Sequence, residues 1–224
     1  MPNQTPSLHL LAKAPIMGHC KSRLALEVGE ERATEFQLAC LRDVCAFLNH
    51  TVENFSLHLC VPREHDADLQ FLPDDHGNVA VHVSSEPDLG EVLQETWESG
   101  HSENGLIFIG TDSPIALIRH LLSAIGQVQH GKVVLGPTVD GGVYLIGVPV
   151  AWKNPFRNVS WGSSSVHEQL VQNAAVIGSV SLPTEMDMDT LNDVRHLAPD
   201  FATLDFRHLE TARLIDAWKR QQLV

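Results

Sequence analysis

The chain has 224 residues, 43% of them apolar, which is enough to bury a core without disulfides or a structural metal. Fifteen basic residues against twenty-eight acidic ones give a net charge of -13, which argues against nucleic acid as a partner because phosphate neutralisation needs clustered Lys and Arg. With no recognisable signal sequence and no apolar run of about 18 residues, we expect a cytoplasmic protein without a membrane partner. The sequence leaves the oligomeric state open.

Short apolar runs alternate with amphipathic stretches along the chain. These patterns predict strands over 7–12, 55–61, 79–83, 105–109, 132–135, 143–148 and 176–182. They predict helices over 31–48, 88–97, 114–129, 163–173, 191–197 and 207–220. Strands that alternate with helices indicate βαβ units, so we expect an α/β fold with a mostly parallel central sheet and helices on both faces. Because no repeat or long linker divides the chain, residues 1–224 are predicted to form a single domain.

A basic, glycine-containing loop follows the first predicted strand over residues 13–24. Backbone N–H groups of such a loop can wrap a polyphosphate while its cations neutralise the charge. No glycine directly precedes Lys21, so the loop is not a Walker A motif. The alternative is a solvated basic turn. The candidate nucleotide-binding residues here are Lys13, Pro15, Gly18, Lys21, Ser22 and Arg23.

A second polar segment, Gly110-Thr111-Asp112-Ser113-Pro114, directly follows the most apolar predicted strand. Ligands of open α/β sheets bind beyond the carboxyl ends of the strands, so Asp112 is placed to ligate Mg²⁺ or Mn²⁺ beside a phosphate. Thr111 joins the candidate nucleotide-binding residues. The alternative is a helix N-cap formed by Asp112 or Ser113, with Pro114 at the first helical position.

A third segment carries Asp140, Gly141 and Gly142 between two apolar strands. Asp-Gly favours tight reversals, so a hairpin turn explains these residues as they stand. The glycines could equally let the backbone approach a ligand.

A fourth segment carries Asp187 and Asp189, two residues apart. On an extended backbone both carboxylates face the same side and could chelate a metal ion. The alternative is that they cap the helix that begins at Leu191.

The four segments together resemble a known family. The strings KAPIMGHCKSRL, GTDSP, GPTVDGGVYLIG and DMDT, with Asp88-Leu89-Gly90 and Trp161 between them, resemble the small bacterial glycosyltransferase-A-like proteins of the DUF2064 family over about residues 10–197. Members are often labelled as transferases, and the resemblance implies the Rossmann-like fold of nucleotide-diphospho-sugar transferases. Three residues depart from the pattern of the family that this chain resembles. Ser22 replaces the usual Thr, Val143 stands where an aromatic residue is common, and Cys20 is unusual in the basic loop.

Residues and resemblance together predict a metal-dependent transferase of a nucleotide-linked group that also binds a small-molecule acceptor. Lys21 and Arg23 would bind the phosphates, with Lys13 nearby. Asp112 would hold Mg²⁺ or Mn²⁺, and Asp187 and Asp189 would complete the metal site or orient the acceptor. The acceptor or sugar pocket is assigned to Asp140, Gly141, Gly142 and Trp161, and the candidate catalytic residues are Lys21, Asp112 and Asp140.

Three alternatives remain beside glycosyl transfer, which the labelling of the family favours. The same groups could serve a nucleotidyltransferase that acts on a small phosphorylated acceptor. A nucleotide-binding protein without turnover is disfavoured because Asp112, Asp187 and Asp189 are all present with Lys21 and Arg23. A metal-dependent nucleotide hydrolase is the third alternative, but the sequence contains no Glu-rich hydrolase motif that would support it.

Overall fold

A computed structural model describes residues 5–62, 79–85, 89–99 and 103–224 of the chain. The strands are β1 (Ser7–Lys13), β2 (Phe55–Val61), β3 (Val79–Ser85), β4 (Leu106–Gly110), β5 (Val133–Pro137), β6 (Val143–Val148) and β7 (Ser179–Ser181). The helices are α1 (Ser22–Val28), α2 (Glu30–Thr51), α3 (Leu89–Ser99), α4 (Pro114–Gln129), α5 (Val166–Asn173), α6 (Leu191–Phe201) and α7 (Glu210–Arg220).

Every predicted element is present, and the bounds predicted for β2, α4 and β6 match those observed. Helix α1 was not among the predicted elements, because Gly29 at φ 89° separates it from α2 and leaves only two turns of helical pattern. The strand predicted over 176–182 is limited to β7, and the last helix begins at Glu210 rather than at Arg207. Asp88, predicted at the start of the third helix, lies outside the described residues.

The seven strands form one sheet in the order β3-β2-β1-β4-β6-β5-β7. β6 runs antiparallel to both of its neighbours, β4 and β5, whereas every other adjacent pair of described strands is parallel. The predicted α/β fold with a mostly parallel sheet is therefore confirmed. The antiparallel pair β5–β6 also confirms the hairpin interpretation of the Asp-Gly-Gly segment.

Helices cover the sheet on both faces. Leu8 and Leu10 of β1 pack with residues of α2 and α4 on the first face, whereas Leu106 and Phe108 of β4 pack with residues of α3 and α5 on the second. Leu106–Ile109 are at most 2% exposed, as expected for a strand buried on both faces. Helices α1, α6 and α7 pack against α2 in a further apolar cluster. None of the described helices is both long and apolar enough to cross a membrane.

A buried carboxylate fixes the position of α7 on α2. Asp43 is 5% exposed and accepts hydrogen bonds from the backbone N–H groups of Glu210 and Thr211, at 2.7 and 2.8 Å. These groups belong to the first turn of α7, where backbone donors have no partner within the helix. Asp43 therefore caps α7 from a distant part of the chain, and α7 needs no Ser or Thr at Leu209.

Candidate functional site

The carboxyl ends of β1, β4 and β5 lie at one edge of the sheet, together with the first residue of β6. A cleft of about 400 Å³ opens at this edge and extends toward α3. The predicted site residues that line it are Lys13, Lys21, Ser22, Arg23, Thr111, Asp112, Trp161 and Asp189. The tertiary structure thus brings together the basic loop, the segment after β4 and the segment before α6, as the position of binding sites in open α/β sheets leads one to expect.

Lys21 lies at the centre of the charged end of the cleft. Its side chain is 3% exposed, and its ammonium forms an ion pair with Asp112 and lies 3.3 Å from Oδ1 of Asp189. Burial by itself would lower the pKa of Lys21, but the carboxylates beside it, Asp112 foremost, raise that pKa above its ordinary value. Lys21 is therefore a permanent internal cation that joins two segments distant in sequence.

The backbone of Lys21 is also unusual. It precedes α1 in the left-handed conformation, at φ 46° and ψ 44°, which non-glycine residues rarely adopt. The ion pairs with Asp112 and Asp189 hold the side chain in place and offset this strain. The start of the loop is fixed as well, since Gln37 of α2 donates to the carbonyl of Lys13 at 3.0 Å.

The segment before α6 is tied to this loop and to β4. Glu27 of α1 accepts a hydrogen bond from the backbone N–H of Leu191 at 3.0 Å, and the N–H of Met188 donates to the carbonyl of Asp112 at 3.1 Å. These bonds hold Asp189 beside Lys21 and place Nη1 of Arg23 3.7 Å from Oδ2 of Asp189. The charged end is therefore built from three separate chain segments.

The capping alternatives for the acidic residues resolve in two ways. Pro114 begins α4 and Ser113 is its N-cap residue, as predicted, but the Ser113 side chain makes no capping bond and instead donates its hydroxyl to Oδ1 of Asp187 at 2.5 Å. The N-cap of α6 is Thr190, which forms a capping box with Asp193. Neither Asp187 nor Asp189 caps α6, so both carboxylates are left for other partners.

Asp187 differs from its two acidic neighbours. Burial raises the pKa of its carboxyl group to about 7 despite the hydrogen bond from Ser113, and the carboxylates of Asp112 and Asp189 add to the effect. Asp187 does not line the cleft, whereas the side chains of Asp112 and Asp189 are 45% and 37% exposed. Near neutral pH the carboxyl group of Asp187 is therefore partly protonated, and it is enclosed, whereas the side chains of Asp112 and Asp189 are open to the cleft.

The donor set suits a hard divalent cation in part. Carboxylate oxygens of Asp112 and Asp189 are ligands that Mg²⁺ and Mn²⁺ prefer, and both residues line the cleft, where a phosphate could supply further oxygens. Within the described ranges, no three His, Cys, Asp or Glu side chains are arranged to hold a metal ion as they stand. Asp112 and Asp189 are the residues that fit such an ion, and Asp187 would first have to leave Ser113.

The turn between β5 and β6 is held by its own residues. The carboxylate of Asp140 accepts from the hydroxyl of Thr138 at 2.5 Å and from the N–H of Gly142 at 3.0 Å. The hydrogen bond from Thr138 lowers the pKa of Asp140 most, so this carboxyl group stays ionised. Gly141 has φ 90°, and a Cβ atom there would lie 1.9 Å from the carbonyl oxygen of Ser164. Its missing side chain is thus explained by the packing of a neighbouring loop.

Six predicted site residues do not line the cleft: Pro15, Gly18, Asp140, Gly141, Gly142 and Asp187. Conversely, the other end of the cleft contains residues that were not predicted from the sequence: His58, Cys60 and Ser84 line it together with residues of α3. The signal for it was the alternation of β2, in which His58 and Cys60 occupy the half-buried positions. That alternation is also typical of a solvent-exposed strand face, and only the packing of α3 distinguishes the two cases.

The mostly parallel α/β sheet with helices on both faces is a fold that this chain shares with solved nucleotide-diphospho-sugar transferase-like structures. A candidate nucleotide-diphospho-sugar transferase from Desulfovibrio desulfuricans G20 superposes with a TM-score of 0.80 at 24% identity, over 100% of this chain and 99% of that one. The inositol-1-phosphate CTP transferase from T. maritima gives a TM-score of 0.51 at 13% identity, over 95% of this chain and 97% of that one. At such identities both similarities establish the fold alone.

The family model described as "Uncharacterized protein conserved in bacteria (DUF2064)" matches residues 48–163, and the chain belongs to this family. The resemblance drawn from the sequence motifs is thereby confirmed. The match includes Asp112, Asp140 and Trp161, whereas the basic loop and the segment before α6 lie outside it. A search of curated proteins gives no match.

Proposed function

We propose that the protein is a metal-dependent transferase of a nucleotide-linked group, and that a glycosyl group carried by a nucleoside diphosphate is what it transfers. The observation that carries this proposal is the convergence of Lys21 and Arg23 with Asp112 and Asp189 in a cleft at the carboxyl edge of the sheet. Cations suit the phosphates, and open carboxylates suit the metal ion that accompanies a diphosphate.

The division of charge within the cleft supports this function. Arg23 is largely exposed, with 69% of its side chain accessible, so it can turn from Asp189 to a phosphate at little cost. Lys21 is enclosed and keeps its charge, so it offers a fixed ammonium close to the phosphates. Held by Asp112 and Asp189, Mg²⁺ or Mn²⁺ would supply further neutralisation of the diphosphate as it leaves.

The chemistry requires charge stabilisation rather than a strong nucleophile from the protein. In glycosyl transfer the bond between the anomeric carbon and the diphosphate oxygen breaks, and its electron pair remains on that oxygen. The acceptor hydroxyl forms the new bond to the same carbon, and its proton passes to water. Lys21 and Arg23 stabilise the charge that develops on the departing oxygen, which is the larger part of such catalysis. Trp161 lines the cleft and offers an apolar face to a sugar or an acceptor.

Nucleotidyl transfer is the second candidate. The fold likeness to the inositol-1-phosphate CTP transferase over 95% of this chain supports it. In that reaction the same cations act on the α-phosphate and pyrophosphate leaves. The charged end of the cleft suits both reactions, so the choice between glycosyl and nucleotidyl transfer depends on which kind of nucleotide the protein binds.

Calorimetric titration of the purified protein tests the proposal and separates the two candidates. The panel consists of UDP-, GDP- and CDP-sugars and of UTP, GTP and CTP, each with and without Mg²⁺ or Mn²⁺. Metal-dependent binding of a nucleotide sugar supports glycosyl transfer, whereas binding of a free triphosphate alone supports nucleotidyl transfer. Absence of binding across the panel, repeated with the small phosphorylated acceptor inositol 1-phosphate present, would overturn both.

A further inference from the structure

Three histidines lie side by side on the second face of the sheet. His58 of β2 is the register partner of His82 of β3 and of Leu11 of β1, and His9 lies one pleat away on β1. The rings of His58 and His82 stack at 4.8 Å with an interplanar angle of 15°, and the rings of His9 and His58 lie 5.2 Å apart. The charged end of the cleft does not include this row.

His9 and His58 are joined by a hydrogen bond between two imidazole rings. Nδ1 of His9 lies 3.0 Å from Nε2 of His58, and His9 is 8% exposed and packs on Phe108. Burial, followed by the neighbouring histidines, lowers the pKa of both rings to about 4. Both are therefore neutral at physiological pH, so each ring carries one proton and only one of the two facing nitrogens can donate.

The second nitrogen of His9 decides which ring is the donor. Nε2 of His9 is enclosed and has no hydrogen-bond partner in the part of the chain that the structure describes. A proton there would be a buried, unsatisfied N–H group, which is rare and more costly than an unsatisfied lone pair. His9 therefore carries its proton on Nδ1 and donates to Nε2 of His58. The consequence is that His58 carries its own proton on Nδ1.

The tautomer matters because His58 lines the cleft. Its Nε2 is bound to His9, and its Nδ1 has no hydrogen-bond partner among the described residues and is not enclosed as Nε2 of His9 is. Leu89, Val92 and Leu93 of α3 form an apolar wall at this end of the cleft. This end thus combines an apolar surface with a neutral N–H donor, whereas Lys21 and Arg23 lie at the charged end.

We propose that His58 is a specificity-determining residue, whose Nδ1–H group donates a hydrogen bond to an acceptor atom of the heterocyclic base of the bound nucleotide. His9 is its positioning residue, because its hydrogen bond selects the tautomer of His58. The inference rests on the proposed function in that the ligand is a nucleotide. A base suits this end because it has flat apolar faces and ring or carbonyl acceptors at its edge, whereas a phosphate would need the cations of the opposite end.

The tautomer can be measured in the unliganded wild-type protein, by long-range ¹H–¹⁵N correlation NMR of the full chain with ¹⁵N-labelled histidine. We expect the Nδ1 of His58 and the Nδ1 of His9 to be protonated and both Nε2 atoms to be unprotonated. In His9→Phe, His58 should lose this preference and populate the Nε2–H tautomer. A wild-type His58 protonated at Nε2 would overturn the inference whatever the protein binds.

The second test compares a ligand that has a base with one that has none. Titrations of UDP and GDP are set against inorganic pyrophosphate, with metal present, for wild type, His58→Phe and His58→Asn. The affinity of His58→Phe for the nucleoside diphosphate that wild type binds should fall about tenfold, whereas its affinity for pyrophosphate should stay unchanged. Asn places an amide N–H near the position of Nδ1, so His58→Asn should recover most of the loss.

The outcomes separate the inference from the function on which it rests. Equal losses for pyrophosphate and for the nucleoside diphosphate, or no loss for either, contradict a role of His58 in binding the base. Failure of the wild type to bind any nucleoside diphosphate contradicts the proposed function itself. His50→Gln, a change of an exposed histidine on α2, is the matched control and should bind all three ligands as wild type does.

Discussion

Two acidic regions, the charged cluster and the turn between β5 and β6, lie at the same edge of the sheet and use their carboxylates differently. In the charged cluster, defined here as Lys21, Asp112 and Asp189, the partners come from segments as much as 168 residues apart. In the β5–β6 turn, Asp140 accepts hydrogen bonds from Thr138 and Gly142, each two residues away. A carboxylate whose partners are close in sequence stabilises its own turn. A carboxylate whose partners are distant in sequence contributes nothing to the local turn and is available for another role.

Distance along the chain is not sufficient by itself. Asp43 also has a partner 168 residues away, yet it is 5% exposed and caps α7. Asp112 and Asp189 differ from it because their side chains are 45% and 37% exposed in the cleft. Long-range partners combined with access to a cleft therefore distinguish the carboxylates of the candidate site from a structural carboxylate such as Asp43.

The largest expected effect is on turnover in Asp112→Asn. This change removes the carboxylate that pairs with Lys21 and that would hold the metal ion, so we expect kcat to fall on the order of 10²–10³-fold. Thermal unfolding should show that the fold is retained. Asp205→Asn, at an exposed carboxylate, is the control and should leave kcat unchanged. Undiminished turnover in Asp112→Asn would remove the charged cluster from the mechanism.

The next effect is on stability, in Gly141→Ala. The new side chain would be held at φ near 90° and would overlap the carbonyl oxygen of Ser164, so the free energy of unfolding should fall by about 3 kcal/mol. Gly178 has φ 80° with open space where a Cβ atom would lie, so Gly178→Ala isolates backbone strain and should cost about 1 kcal/mol. Equal losses in urea unfolding of the two variants would show that the contact with Ser164 does not constrain the turn.

Lys21→Gln should reduce the affinity for the bound nucleotide by about 10- to 100-fold, or roughly 1–3 kcal/mol, because it removes a charged donor from the charged end of the cleft, where we propose that the phosphates bind. The measurement is a calorimetric titration at fixed metal concentration. Lys153→Gln changes an exposed lysine that follows β6 at the opposite edge of the sheet, and it should bind the nucleotide normally. Wild-type affinity in Lys21→Gln would place the phosphates elsewhere.

Asp187 predicts a pH dependence of stability. Its pKa of about 7 in the folded protein is above the ordinary value of 3.8. Between about pH 4 and pH 7 the folded state therefore binds a proton that the unfolded chain has released. The stability that this proton contributes is complete below about pH 4 and is lost as the pH rises through about 7. Replacing Asp187 with Asn should therefore remove a decline of roughly 1 kcal/mol per pH unit between about pH 4.5 and 6.5. If the free energy of unfolding changed with pH in the same way for wild type and Asp187→Asn over this pH range, the result would contradict a buried, protonated Asp187.

The smallest effect is expected for Asp140→Asn. Asn retains an acceptor for Thr138 and Gly142, so the free energy of unfolding should change by less than about 0.5 kcal/mol and kcat by less than about threefold. A loss of turnover comparable with that of Asp112→Asn would show that the β5–β6 turn contributes to turnover as much as the charged cluster does. It would then support the prediction from sequence that Asp140 is catalytic.

Much of the fold could be predicted because its signals are local. The apolar run Leu106–Ile109 and the Pro114 that opens α4 are properties of short windows, and they gave the strand and the helix correctly. Helix α1 was missed because seven residues with Gly29 behind them are too short to establish a helical period. The antiparallel pairing of β5 with β6 agrees with the hairpin interpretation of the Asp-Gly turn, which the sequence alone left beside a ligand-binding interpretation.

The candidate site was only partly predictable, for a physical reason. The residue types of Lys21, Arg23, Asp112 and Asp189 and their positions at strand and helix ends already indicated phosphate and metal chemistry. The sequence by itself therefore determined which groups are available and the edge at which they occur. Only the tertiary structure decided that Asp187 turns to Ser113, that Gly141 packs on Ser164 and that His9 bonds to His58. Each of these outcomes depends on which distant segments meet, and that is set by packing of the whole sheet and its helices rather than by any local pattern.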